Sequence, residues 1–294
     1  MRWRAPDAAR CSPMNDRFVA IAGGDYRVGS DRHYPEERPA RTISLAGFEI
    51  ATAPVTNADF ARFVAATGHV TVAEQAGLSA VFVATRGPVA LHDPAAWWHT
   101  TKGAWWRAPE GPGSTIITRQ DHPVVHVAQA DAAAYAAWAG ARLPGEAEWE
   151  AAARAGLIDA DYAWGDDLLP HGLMMANFWT GSFPWYHNRL PQPGTTPVGH
   201  YPADGRGLID MIGNVWEWTT AAAALAPLPA SPARPSPAPR CCAPDSSTSD
   251  LVVLKGGSFL CAAEYCQRYR PAARIAVSDA MTSAHIGFRL ARSS

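Results

Sequence analysis

The chain has 294 residues, 48% of them hydrophobic and 18% charged, enough to bury a sizeable core in one large domain or two small ones. Its net charge of −2 leaves no electrostatic footprint for nucleic acid or an anionic membrane, and no apolar run reaches the roughly 18 residues of a membrane helix. The load of 12 Trp, 24 Gly and 25 Pro points to a chain that turns often and builds few long regular elements.

Residues 1–16 read as a flexible tail. The start, MRWRAPDAARCSP, carries positive charge with no apolar stretch behind it, so no secretory signal and a reducing, cytoplasmic compartment are expected. A single domain is expected over 17–294. From Phe18, FVAIAGGDYRVGS alternates apolar and small residues and predicts a strand and turn; RTISLAGFEIATAPVT predicts one or two more strands. Thr56 or Asn57 is placed to cap a helix over ADFARFVAATG, with Phe60, Phe63 and Val64 on one face and Gly68 as its stop. Residues 75–125 show little periodicity and read as a long, packed, loop-rich section. Asp131 predicts the start of a second helix, and PGEAEWEAAARAG a third with Pro144 in its first turn and Glu146 and Glu148 near its positive end. Residues 221–245 form an Ala/Pro-rich insertion, expected to be a mobile surface excursion. VVLKGGSFL then predicts a strand and turn, and HIGFRLAR a final strand.

Five cysteines, Cys11, Cys241, Cys242, Cys261 and Cys266, cannot all pair. Cys261 and Cys266 follow Gly256-Gly257-Ser258 closely. Five residues apart, they face opposite sides of a strand or lie about 140° apart on a helix, so only a turn brings the thiols together. Paired soft thiolates favour Cu(I), Zn or an iron–sulfur cluster; the plain alternative is two buried, inert cysteines or an incidental disulfide. His122-Pro-Val-Val-His126 has a zinc-like spacing, but Pro123 and two valines favour an extended chain with two satisfied histidines. Asp210-Met-Ile-Gly-Asn-Val-Trp-Glu-Trp218 interleaves two carboxylates and free carbonyls around a glycine, a pattern that suits Ca²⁺ or a plain turn leading into a strand.

Together these motifs resemble the formylglycine-generating enzyme family, the sulfatase-modifying oxidases. They run in order as EIATAPVTNADFARFV, TKGAWWRAPEGPGST, DHPVVHV, YAAWAGARLPGEAEWEAAARAG, YAWGDD, ANFWTGSFP, GLIDMIGNVWEW and KGGSFLCAAEYCQRYRPAAR…HIGFR. The resemblance implies an α+β fold, compact and loop-rich, distantly related to C-type lectins. It implies oxidation of a cysteine in a Cys-x-Pro-x-Arg segment of an unfolded sulfatase to Cα-formylglycine, with O₂ and a thiol reductant consumed. By position, Cys261 and Cys266 would hold Cu(I), Ser258 would stand beside the oxygen site and Trp216 would line that pocket. Asp210, the carbonyls of Gly213 and Val215, and Glu217 match one Ca²⁺ site. Asn177 and the Phe178 carbonyl match half of a second, whose usual Asp falls near Leu190. His285 stands where many members have Asn. Asp279 is a possible partner for the substrate Arg. A monomer is expected, with no nucleic-acid or membrane partner. Two other functions fit the same superfamily: a non-catalytic, calcium-stabilised binding module, and an iron sulfoxide synthase, whose H-x₃-H-x-E motif does not occur in these residues.

Overall fold

The computed structural model describes residues 18–189, 193–220 and 251–294. The tail expected at 1–16, the Ala/Pro insertion, Leu190, Cys11, Cys241 and Cys242 lie outside the described residues. Local chemistry sets the first elements. Strands β1 (Phe18–Ile21), β2 (Gly24–Val28), β3 (Arg41–Leu45) and β4 (Phe48–Ala51) answer to the two alternating segments. Helix α1 (Asn57–Thr67) opens with a reciprocal cap between Thr56 and Asp59 and stops at Gly68, whose φ of 69° is left-handed. The same device recurs in the short α2 (Val72–Ala76), between Thr71, Glu74 and Gly77.

The stretch expected to be loop-rich contains an antiparallel hairpin, β5 (Leu78–Phe82) with β6 (Trp98–Lys102). Pairing across a 15-residue connection leaves no short-range turn signal, and β6 carries mostly half-buried and exposed residues, so its periodicity is faint. Helix α3 (Gln129–Trp138) begins two residues before Asp131, whose carboxylate accepts from the Ala128 backbone and caps the helix from inside. In α4 (Glu146–Ala153) Gly145 is the N-cap, so Pro144 precedes the helix rather than lying in its first turn. The last expected strand is two: β10 (Ile286–Gly287) and β11 (Ala291–Ser293). Between α4 and these lie β7 (Trp216–Trp218), β8 (Leu251–Lys255) and β9 (Arg274–Ser278).

Among the described residues, β1, β4 and β11 form one antiparallel sheet with β4 central, and β10-β7-β8-β9 form a second in which β10 runs parallel to β7. Little of the chain is regular, and the α+β class follows. No helix of the described residues is long and apolar enough to cross a membrane. Trp97, Trp106, Trp149, Trp216 and Trp218 are fully buried. Phe60 stacks on Tyr135 at 5.9 Å and meets Trp106 edge-on at 5.2 Å, so large rings rather than long helices fill the core.

Buried ion pairs hold the second sheet to its neighbours. Glu150 of α4 meets Lys255 of β8 at 2.9 Å and Arg154 at 2.7 Å. Burial alone would raise the Glu150 carboxyl, but these two cations hold it below its ordinary range. Glu37 pairs with Arg270 in the same buried manner. Such pairs contribute little net stability when intact, yet leave a stranded charge when one partner is removed.

Candidate active site

The site is built on the turn that follows β8. Gly256 and Gly257 have φ of 94° and 75°, and a Cβ on Gly257 would lie 2.5 Å from the Arg268 carbonyl oxygen. Only glycine lets the chain reverse there while the 268–269 backbone packs against it. Beyond the glycines the backbone closes successive turns: Cys261 N donates to Ser258 O (3.0 Å) and Cys266 N to Ala262 O (2.8 Å). The second bond curls the chain through one helical turn, and Trp179 N pins it by donating to Cys261 O at 2.9 Å. This resolves the awkward five-residue spacing. The sulfurs of Cys261 and Cys266 face each other at 3.4 Å, unlinked and almost wholly buried.

The pair is almost wholly removed from solvent. Burial first, then Cys266, pushes the Cys261 thiol well above its ordinary range, so a metal ion must displace protons to bind. Ser258 N points at Cys261 Sγ (3.4 Å), and Ser258 Oγ lies 3.4 Å from His285 Nδ1. The His285 carbonyl accepts from Trp216 N at 2.9 Å. Ser258, His285 and Trp216 therefore form one connected group against the cysteine loop. The Trp216 indole N–H is buried with no hydrogen-bond partner among the described residues. A small pocket of about 70 Å³ adjoins Phe259 and Ala284 and includes Phe82, Glu110, Arg119 and Thr195.

Two thiols not joined in a disulfide fit a soft monovalent ion such as Cu(I). Among the described residues no three His, Cys, Asp or Glu side chains converge on one point, so a zinc-type set of four ligands has no basis there. His122 and His126 do not form a site. His126 is fully buried, with Nδ1 2.7 Å from Ser79 Oγ and Nε2 2.8 Å from Pro109 O, while His122 Nδ1 lies 2.9 Å from Thr195 Oγ1.

The stretch matched to calcium is arranged differently. Asp210 has a left-handed φ of 53°; its Oδ2 accepts from Gly199 N and its Oδ1 is buried without a partner among the described residues. Burial pushes its carboxyl up to about 6. That oxygen fits a hard cation. Glu217 is already engaged: Arg289 Nε and Nη2 donate to its two oxygens at 2.6 and 2.7 Å, and Trp149 Nε1 adds a third bond at 2.7 Å. Arg289 also reaches the carbonyls of Ile209 and Asp210. Arg289 and Trp149 thus take three of the roughly four lone-pair sites of the Glu217 carboxylate. Asn177 likewise works as a staple: its Nδ2 donates to Gly194 O and Asn214 Oδ1, and its carbonyl accepts from Asn214 N. The Phe178 ring stacks on Tyr269 at 4.4 Å. Asp279 lies just past β9, where its carbonyl accepts from Gln129 N.

Arg289 was not singled out by sequence reasoning, nor was Arg268. A signal existed for Arg289. An acid in the apolar run NVWEW and a cation in the apolar run IGFRL are both expensive to bury unless they meet.

The sulfatase-modifying factor enzyme 1-like domain matches residues 5–294. A formylglycine-generating enzyme of Mycobacterium tuberculosis is 50% identical over 94% of this chain and 97% of its own. One from Thermomonospora curvata is 46% identical over 97% of each chain. Among solved structures, PvdO of Pseudomonas aeruginosa superposes with a TM-score of 0.61 at 23% identity, over 94% of each chain, which speaks to the fold alone.

Proposed function

This chain belongs to the sulfatase-modifying factor enzyme 1-like family, and on that premise we propose that it oxidises a cysteine of a sulfatase polypeptide, within a Cys-x-Pro-x-Arg segment, to Cα-formylglycine. The observation that carries the reading is the pair of unlinked, buried thiols of Cys261 and Cys266 at 3.4 Å. Structural cysteines need not face one another across a turn that the Cys266–Ala262 backbone bond closes.

The balance of the reaction fixes what the site must do. Dioxygen accepts four electrons; two come from the substrate CH₂–SH group and two from a thiol reductant. Both atoms of dioxygen end as water, the substrate carbon becomes an aldehyde whose oxygen comes from water as the thioaldehyde hydrolyses, the substrate sulfur leaves as hydrogen sulfide, and the reductant becomes a disulfide. Copper(I) held by Cys261 and Cys266 would supply the one-electron chemistry that dioxygen requires.

The chain's own residues do the rest. The cysteine loop fixes both sulfurs through backbone bonds, so substrate binding need not order them. Ser258 N–H supports Cys261 Sγ, and Ser258 Oγ, within reach of His285 Nδ1, holds a proton beside the sulfurs. Trp216 Nε1–H, buried and unpartnered among the described residues, is a ready donor to an incoming oxygen atom. Near-complete burial excludes bulk water from the cysteines. The substrate must come as an extended, unfolded segment, because a folded sulfatase buries its cysteine.

The test is mass spectrometry of a Cys-x-Pro-x-Arg peptide after incubation with copper-loaded protein, dithiothreitol and air. Exchange of sulfur for oxygen with loss of two hydrogens, and capture of the product by a hydrazide, is expected. A peptide that only forms disulfides would refute the reading.

A further inference from the structure

A charged group touches the cysteine pair. Arg268 Nη1 lies 3.6 Å from Cys266 Sγ. The guanidinium is almost buried, at 6% exposure, and is fixed on its other sides: Nε and Nη2 donate to Glu36 Oε1 at 3.1 and 2.6 Å, and the Tyr34 ring lies 3.9 Å beneath it. Gly257 admits the Arg268 backbone to within van der Waals contact of the turn that carries Ser258. The guanidinium is planar, so its bonds from Nε and Nη2 to Glu36 carry Nη1 to Cys266 Sγ and hold the positive charge against the sulfur.

One Cu(I) on two thiolates carries a net charge of −1, and Cys261 and Cys266 are 2% and 0% exposed. A buried charge is costly unless it is paired. We propose that Arg268 is a positioning residue acting through Cys266: its fixed positive charge neutralises the copper(I) bis-thiolate and sets how tightly the pair binds the ion. This rests on the reading of Cys261 and Cys266 given above. Glu36 shares the guanidinium with the sulfur, and its side chain is 24% exposed, so water screens it in part. The two partners therefore act in opposite directions: Arg268 stabilises the loaded site and Glu36 weakens that effect.

The test is a Cu(I) competition titration against a chromophoric chelator, under reducing and anaerobic conditions, with the wild type and three variants. Both Arg268→Met and Glu36→Gln break the Arg268–Glu36 pair, but only the first removes the charge at the sulfur. Arg268→Met should weaken Cu(I) binding about tenfold or more, the scale of a charge-assisted hydrogen bond. Arg268→Lys should recover most of that loss. Glu36→Gln should bind Cu(I) as tightly as the wild type or tighter. Equal weakening by Arg268→Met and Glu36→Gln would mean that the pair is only structural and would overturn the inference, as would unchanged affinity in Arg268→Met. If Arg268→Met fails to fold by circular dichroism, Glu36→Gln decides alone, since weaker binding there contradicts the proposed sign. A wild type that binds no Cu(I) would instead sink the functional reading, and this inference with it.

Discussion

The turn after β8 and the stretch from Asp210 to Glu217 match the family's motifs equally well, and both are buried. They differ in what their donor atoms are doing. Cys261 and Cys266 face each other with neither sulfur linked, and the turn exists to hold them so. Glu217 accepts two short bonds from Arg289 and one from Trp149, three of the roughly four its oxygens can take. A matched motif residue is more open to an ion the weaker the contacts its lone pairs already make, and the sulfurs receive long ones, from Ser258 N at 3.4 Å and Arg268 Nη1 at 3.6 Å. By that measure the cysteine pair is more open to an ion than Glu217, with Asp210 between the two.

The largest expected effect lies at the cysteines. Cys266→Ser or Cys261→Ser should lower peptide oxidation by more than about 100-fold, while unfolding in urea moves by roughly 1 kcal/mol or less. A cysteine variant that kept its activity would erase the contrast.

Next comes Glu217. Glu217→Gln leaves the Arg289 guanidinium buried without a countercharge and should cost about 3–5 kcal/mol in urea unfolding, with or without calcium. If the loss appeared only when calcium was present, Glu217 would be an ion ligand first and a partner of Arg289 second.

His126 extends the comparison to a third motif residue that is already engaged. Burial holds its folded pKa at about 4, against an unfolded value near 6.5. Between those values the unfolded chain binds more protons, so His126 contributes stability that is complete above about pH 6.5 and lost as the pH falls toward 4. From pH 7.5 to 5 the wild type should lose roughly 2 kcal/mol through this group, and His126→Gln should lose that much less. Parallel pH profiles for the two proteins would remove His126 as the cause.

The smallest effect is expected at Asp210. Its unpartnered Oδ1 should let calcium raise the melting temperature by about 2–4 °C, and Asp210→Ala should abolish the rise. A chelator that left the wild-type melting curve unmoved would assign Asp210 to the scaffold.

Much of the frame was legible in the sequence because its signals are local. The Thr56 cap, the Gly68 stop and the alternating first strands each depend on residues within one turn or one strand. The β5–β6 hairpin was not legible, because its strands pair across a long connection and show weak alternation. The cysteine loop was legible only as a requirement for a turn; the Ala262–Cys266 bond and the Trp179 contact that meet it involve backbone atoms, which leave no trace in residue types. The engagement of Glu217 was hidden for a further reason. Its partner Arg289 stands 72 residues along the chain, and the pairing arises because β10 runs parallel to β7 just before that arginine.

If the Cys261–Cys266 pair is the soft-metal centre of the protein, copper K-edge X-ray absorption of the protein loaded with one equivalent of Cu(I), without peptide, will show it. A first shell of sulfur alone, lost when both cysteines are replaced by serine, is the expected result. A shell of nitrogen or oxygen, or a spectrum that survives the double replacement, would place the metal elsewhere and contradict the account.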